Sequence, residues 1–289
     1  MKILKSQNER VKILLIILFV VLVSTLLIFG KFIDNRRKNK VNIRANDKKS
    51  ISVSTSSRPL SDKKIEWGLK RNDNHQQPEI SSNWIKLLKE NNGIAIGNNS
   101  TKYIYLTFDE GYEAGYTKQI LETLKNNNVI ATFFITAHYC NSASDLVKQM
   151  IDYNQIVGNH TCNHKSMPSI SNEEINREVM DLHKTIYEKY GYEMKYLRPP
   201  KGEFSERTLA QTASLGYKSV LWSFAYLDWD ENKQPNLENA KKKILDNVHN
   251  GEIMLLHGNS ITNASILDSV IKEIKNMGYE FRSLDDFEE

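Results

Sequence analysis

His160 and His164 stand four residues apart in His160-Thr161-Cys162-Asn163-His164, just past the apolar Ile156-Val157-Gly158. If that segment makes one helical turn, both imidazoles fall on one side and can grip one ion. Such a pair is also common on ordinary surfaces, so its meaning depends on its company. Thr107-Phe108-Asp109-Glu110-Gly111 adds an acidic pair. Two histidines and one carboxylate form the ligand set of a catalytic divalent site that leaves one position open for water. Asp109 and Glu110 would face opposite ways in a regular strand. Gly111 permits a turn that would bring both into one site; the alternative is one buried, capping acid and one solvated acid. Arg198-Pro199-Pro200-Lys201-Gly202 contributes an arginine able to hold a carboxylate, and Leu255-Leu256-His257 a further histidine. Together these are the parts of metal-assisted hydrolysis.

Each cluster ends an apolar, strand-like run. Strands are predicted over 103–108, 130–136, 155–159, 196–197, 219–224 and 253–256. Helices are predicted over 117–126, 144–153, 172–190, 205–214, 237–248 and 264–276. Ser171 with Glu174 reads as a capping box, and Ser205 as a second cap. Strands alternating with helices indicate βα units on a parallel sheet, an α/β fold. In a small barrel or an open sheet of this kind, polar groups at the strand C-termini converge on one face.

The chain of 289 residues has a formal charge of +4, but the charge is unevenly placed. The first fifty residues hold 12 Lys+Arg against 3 Asp+Glu, which leaves 27 against 32 for the rest. A nucleic-acid partner would need basic residues clustered on the folded domain, and none is expected; nor is an obligate protein partner. Ile13 to Gly30 is an apolar run interrupted only by Ser24 and Thr25. At helical rise it covers roughly 27 Å, about a bilayer core, and it lacks a small-residue cleavage site. Residues 1–31 are read as an uncleaved membrane anchor, 32–61 as a polar linker, and 62–289 as the folded domain. Basic residues follow the apolar run as well as precede it, which counted naively would keep the domain inside. A long domain can translocate despite flanking charge, so the expected location is the cell membrane, single-pass, with the domain outside. Cys140 and Cys162 are too few for a disulfide framework and read as unlinked thiols. His75, His183 and His249 read as surface residues, and Trp222 and Phe224 as core.

The ordered motifs, with Trp222-Ser223 through Asp228-Trp229 as the fourth, resemble the polysaccharide deacetylases of the NodB-homology group, carbohydrate esterase family 4. The resemblance covers about residues 100–282. It implies a distorted (β/α) barrel and metal-dependent removal of acetyl groups from sugar polymers. It implies that Asp109 is the general base and that Glu110, His160 and His164 hold a divalent ion, zinc first. By the same resemblance Arg198 holds and tunes Asp109, Asp228 supports that network, and His257 is the general acid. Trp229 would wall the groove, Leu255 would line the acetyl-methyl pocket, and His138 is a candidate sugar contact. The residues fit such a reaction on their own chemistry. A bound divalent ion would polarise an amide carbonyl, Asp109 would take a proton from water, and His257 would return one to the leaving amine. Backbone N–H groups near Lys201 would help to hold the oxyanion.

Two departures from the family pattern matter: Glu110 stands where a second Asp is usual, and Lys201 where an aromatic is usual. Lys201, Glu113, Trp67-Gly68, Lys70-Arg71 and Gln77-Pro78 resemble the muramic acid deacetylases of endospore formers, which act toward muramic-δ-lactam in cortex peptidoglycan. Lys201 would then meet substrate. The competing readings are an N-acetylglucosamine deacetylase of peptidoglycan or chitin-like oligomers, an O-acetyl esterase, and a catalytically inactive glycan-binding protein.

Overall fold

In the computed structural model, residues 59–289 are described, and Leu60–Glu289 form one folded unit. The expected anchor over 1–31 and nearly all of the linker over 32–61 lie outside the described residues. Among the described residues, no helix is long and apolar enough to cross a membrane.

In chain order the first elements are β1 (Ile65–Glu66), α1 (Ser82–Glu90), β2 (Gly93–Ile94), β3 (Tyr103–Glu110), α2 (Thr117–Asn126) and β4 (Thr132–Ile135). Then come α3 (Ala137–Ser142), α4 (Ser144–Asp152), β5 (Ile156–Asn159), α5 (Asn172–Tyr190), β6 (Tyr196–Leu197) and β7 (Glu203–Phe204). The last are α6 (Glu206–Ser214), β8 (Lys218–Val220), α7 (Leu237–Asn247), β9 (Glu252–His257), α8 (Ile261–Asn276) and β10 (Glu280–Phe281).

Local sequence explains most boundaries. Ser171 Oγ accepts the Glu174 N–H at the start of α5, and Gly191 closes that helix in the left-handed region at φ 66°, the conformation a residue without Cβ adopts freely. Ser205 and Thr208 cap α6 reciprocally. Helix α8 begins at Ile261, three residues before the predicted start, because Ser260 Oγ accepts the Asn263 N–H.

The larger sheet is parallel at every pairing. Its path runs β9-β3-β4-β5-β6-β8-β2, with β10 beside the start of β3. β3 is buried from Ile104 to Glu110, as expected of a strand covered on both faces. Phe108 stacks on Phe133 of β4 with ring centroids 5.1 Å apart. The strand predicted over 219–224 is divided. β8 stops at Val220, and Phe224 then bridges to Met254 of β9. The chain leaves one edge partner for another there, and the sheet curls into a half-barrel.

Residues 62–100 pack on this core. β1 pairs antiparallel with β7, the Trp67 N–H donates to the Gly202 carbonyl at 3.0 Å, and Trp67 Nε1 donates to the Trp222 carbonyl at 2.9 Å.

Candidate active site

The C-terminal ends of β3, β5, β6 and β9 deliver Asp109, His160, Arg198 and His257 to one region. A cleft of about 1020 Å³ opens there. Asp109, His138, His160, His164, Lys201, Trp229, Leu255 and His257 all line it, with Tyr112, Trp222 and Asn259.

Arg198 is fully buried. Its Nη1 donates to Asp109 Oδ1 at 2.7 Å, Nη2 to Thr107 Oγ1 at 2.9 Å, and Nε to the Val220 carbonyl at 3.1 Å. The guanidinium lies 4.2 Å from the Phe134 ring centroid, so both faces and edges are fixed. Burial opposes charge on Asp109, but Arg198, His160 and His257 outweigh it and hold the carboxyl below its usual range. Asp109 is therefore ionised, with Oδ2 left to face His160 Nε2 at 3.5 Å.

His257 is wired differently. Its Nδ1 lies 2.8 Å from Asp228 Oδ1, and its backbone N–H donates to Asp228 Oδ2 at 2.9 Å. Asn263 Nδ2 donates to the same Oδ2 at 2.6 Å. Burial works against a charge on His257, but Asp228 and then Asp109 prevail and raise its pKa. Asp228 thus supports His257, whereas the resemblance implied that it supports the Arg198 network. The reason is positional: Arg198 already spends its donors on Asp109, Thr107 and Val220, and Asp228 lies beside the end of β9.

His160 and His164 meet edge to face with centroids 4.8 Å apart. Burial lowers the pKa of both, that of His164 to about 4 with His160 adding to the effect. Both are neutral near pH 7 and carry free ring lone pairs. His160 Nδ1 faces the Arg198 carbonyl at 2.8 Å, which leaves Nε2 to the cleft. The segment is no regular helical turn, since Thr161 and His164 have φ of 67° and 54°.

Glu110 is the main correction to the expected ligand set. Its carboxyl does not line the cleft. One oxygen accepts from Thr117 Oγ1 at 3.3 Å, and the carboxyl lies so close to Gly258 that a Cβ there would sit 1.9 Å from Oε1. β3 keeps its pairing through Glu110↔Ile135, so strand alternation sends Asp109 and Glu110 to opposite sides. Burial, with Glu113 adding to it, pushes the Glu110 pKa well up. Among the described residues, no three His, Cys, Asp or Glu side chains form a metal-holding group. The two neutral imidazoles are nitrogen donors of the kind a divalent ion takes; the expected Glu110 carboxylate does not join them.

Other readings changed less. Cys140 and Cys162 are free. Phe224 is core, whereas Trp222 is half-buried and also lines the cleft. His249 is buried, contrary to the surface reading, because the Asn247 carbonyl and Ser223 Oγ satisfy its two ring nitrogens. Sequence reasoning missed Asn263 and Asn159. Asn159 Oδ1 accepts the Thr161 N–H, and only its place before the histidine motif hinted at a role.

The family model for polysaccharide deacetylase matches residues 96–220. The chain is 40% identical over 223 residues to the peptidoglycan-N-acetylmuramic acid deacetylase PdaA of Bacillus subtilis, covering 77% of this chain and 85% of that one. It is 32% identical to a peptidoglycan-N-acetylglucosamine deacetylase of Bacillus cereus, covering 63% of this chain and 86% of that one. The solved structure of Bacillus subtilis PdaA, described as a family 4 carbohydrate esterase, superposes with a TM-score of 0.77 at 39% identity over 79% of this chain and 98% of that chain. With the motifs gathered at one end of a curled parallel sheet, these likenesses show that the chain belongs to the polysaccharide deacetylase family of hydrolases.

Proposed function

We propose that this protein removes the N-acetyl group of N-acetylmuramic acid in peptidoglycan strands, as a step toward muramic-δ-lactam in spore cortex. Peptidoglycan as substrate is supported by the names of both relatives. The choice of sugar rests on one observation, Lys201. This lysine lies exposed on the cleft in the left-handed region at φ 61°. Muramic acid differs from glucosamine by a lactyl ether on O3, which bears a carboxylate when no peptide is attached. A cation on the cleft would receive it.

The chain's own groups divide the work. Asp109, kept ionised by Arg198, accepts a proton from the attacking water. His257, kept protonated by Asp228, gives one to the leaving nitrogen. Trp229, half exposed, walls the sugar groove, and Leu255 offers an apolar contact to the acetyl methyl. His160 and His164 would hold a divalent ion, which when bound would polarise the acetyl carbonyl and acidify that water. The anchor over residues 1–31 would keep the domain at the outer face of the cell membrane.

The N-acetylglucosamine reading is favoured by the Bacillus cereus relative, and one experiment separates the two. Peptidoglycan strands and N-acetylglucosamine oligomers are incubated with the enzyme and its Lys201→Ala variant, and mass spectrometry locates each lost acetyl group. The expected loss is from muramic acid. A hydrogen bond to a charged group is worth about 1.5–3 kcal/mol, so the variant should lose about tenfold or more in kcat/KM on peptide-free muramic acid. It should spare any glucosamine activity. Equal losses on both substrates, or no loss, would overturn the muramic acid assignment.

A further inference from the structure

The loop His160 to His164 holds two non-glycine residues, Thr161 and His164, in the left-handed region. L side chains adopt that conformation rarely, and it persists only where the surroundings fix it. Within the loop, one bond is local: the His164 N–H donates to Thr161 Oγ1 at 3.1 Å. Most of the remaining constraint comes from one position on α5. The Cys162 N–H donates to the backbone carbonyl of Glu178 at 2.9 Å. The Glu178 side chain then takes the Asn163 N–H on Oε2 and the Asn163 Nδ2 on Oε1, both at 2.7 Å. Glu178 is 4% exposed, and Lys165 Nζ lies 3.7 Å from Oε1. Asn163, by contrast, is exposed and lines the cleft. A buried carboxylate has been placed on a helix with its two oxygens against the residue that precedes His164.

We infer that Glu178 is a positioning residue: its carboxylate clamps Asn163 and so sets the direction in which His164 presents its ring toward His160. The chemistry of the clamp is directional. Both groups of Asn163 donate, so the residue opposite must accept twice. A carboxylate at 178 does this, whereas a second carboxylate at 163 would set acceptor against acceptor. The inference deepens the reading of His160 and His164 as the ion-holding pair and rests on it.

The test is a donor swap in the full-length chain. Asn163→Asp places a carboxylate against a carboxylate, which no turn of either side chain relieves, and should free the loop. Adding Glu178→Gln should restore both bonds with one reversed, since the amide at 178 can accept the backbone N–H and donate to the new carboxylate. Three quantities are measured: Zn²⁺ affinity by competition with a chelating dye, kcat and KM on peptidoglycan strands, and the ring ¹H–¹⁵N resonances of the metal-free protein. Asn163→Asp should weaken Zn²⁺ binding about tenfold to a hundredfold, as loss of groups that orient metal ligands does. It should lower kcat more than it raises KM. It should move the His164 ring resonances and leave those of His257 in place. The double variant should recover all three. The role of Glu178 is overturned if the folded single variant keeps Zn²⁺ affinity and His164 resonances unchanged. It is equally overturned if the double variant recovers nothing. A wild-type chain that binds no Zn²⁺ while still deacetylating would remove the parent reading of the two imidazoles, and this inference with it.

Discussion

At the scale of single residues, the site separates its charges by giving Asp109 and His257 a partner each. Asp109 has Arg198, His257 has Asp228, and the two imidazoles remain neutral. The His257–Asp228 pair makes a signed pH prediction. Because the His257 pKa is raised, its acid form survives above the ordinary histidine value of about 6.5. Activity is lost as pH rises through that raised value. Asp228→Asn removes the partner and leaves burial to act, so the falling limb of kcat/KM should move to lower pH by about one unit or more. An unmoved limb would assign it to another group. The proposed ion-holding pair makes a second prediction. His160→Ala or His164→Ala should abolish deacetylation and lower divalent-ion binding at least about tenfold, the lower range even for indirect losses. Glu110→Ala should keep full metal content, because its carboxyl lies away from the cleft. Metal content measured on the three purified variants decides the matter, and a metal-free Glu110→Ala enzyme would return Glu110 to the ligand set.

At the scale of elements, the site depends on where β3 and β9 end. The two strands pair from Ile104↔Glu252 to Asp109↔His257, which sets the proposed base and acid side by side in register. One residue further, Glu110 occupies the space that any side chain at 258 would need. Gly258→Ala should therefore destabilise the protein by about 1–3 kcal/mol, the usual cost of overpacking. In a Glu110→Ala background the same change should cost markedly less, since the obstructing carboxyl is gone. A double-mutant cycle in urea measures the coupling; a coupling near zero would mean that the carboxyl swings aside freely. The alternation that turns Glu110 away was available from the sequence as one of two readings. A strand end at Phe108 came two residues too early, and the pairing of Glu110 with Ile135 decided for the strand.

At the scale of the whole molecule, several buried histidines are kept neutral, and this has a consequence for folding. His249 is lowered to about 4 by burial, and His164 likewise. A histidine whose folded pKa lies below its unfolded value binds more protons when unfolded. Stability from such a group is present above the unfolded pKa and is lost as pH falls from about 6.5 toward 4. For His249 alone that loss approaches roughly 3 kcal/mol by pH 4. Urea midpoints should fall steeply between pH 7 and 5, and His249→Gln should flatten part of that slope while lowering stability at pH 7. An unchanged slope in the variant would place the acid sensitivity elsewhere.

The amino-acid order by itself determined the alternation of strands and helices, because periodicity, caps and apolar runs are local and survive in one dimension. It also marked Asp109, His160, His164, Arg198, Lys201 and His257, since each ends an apolar run and strand ends of a parallel sheet share a face. Only the tertiary structure decided which groups are partners. Asp228 serves His257, Glu110 packs on Gly258, and Glu178 of α5 reaches back 15 residues to the loop between the histidines. Such pairings depend on strand register and on which donors are already satisfied, and a one-dimensional pattern carries neither.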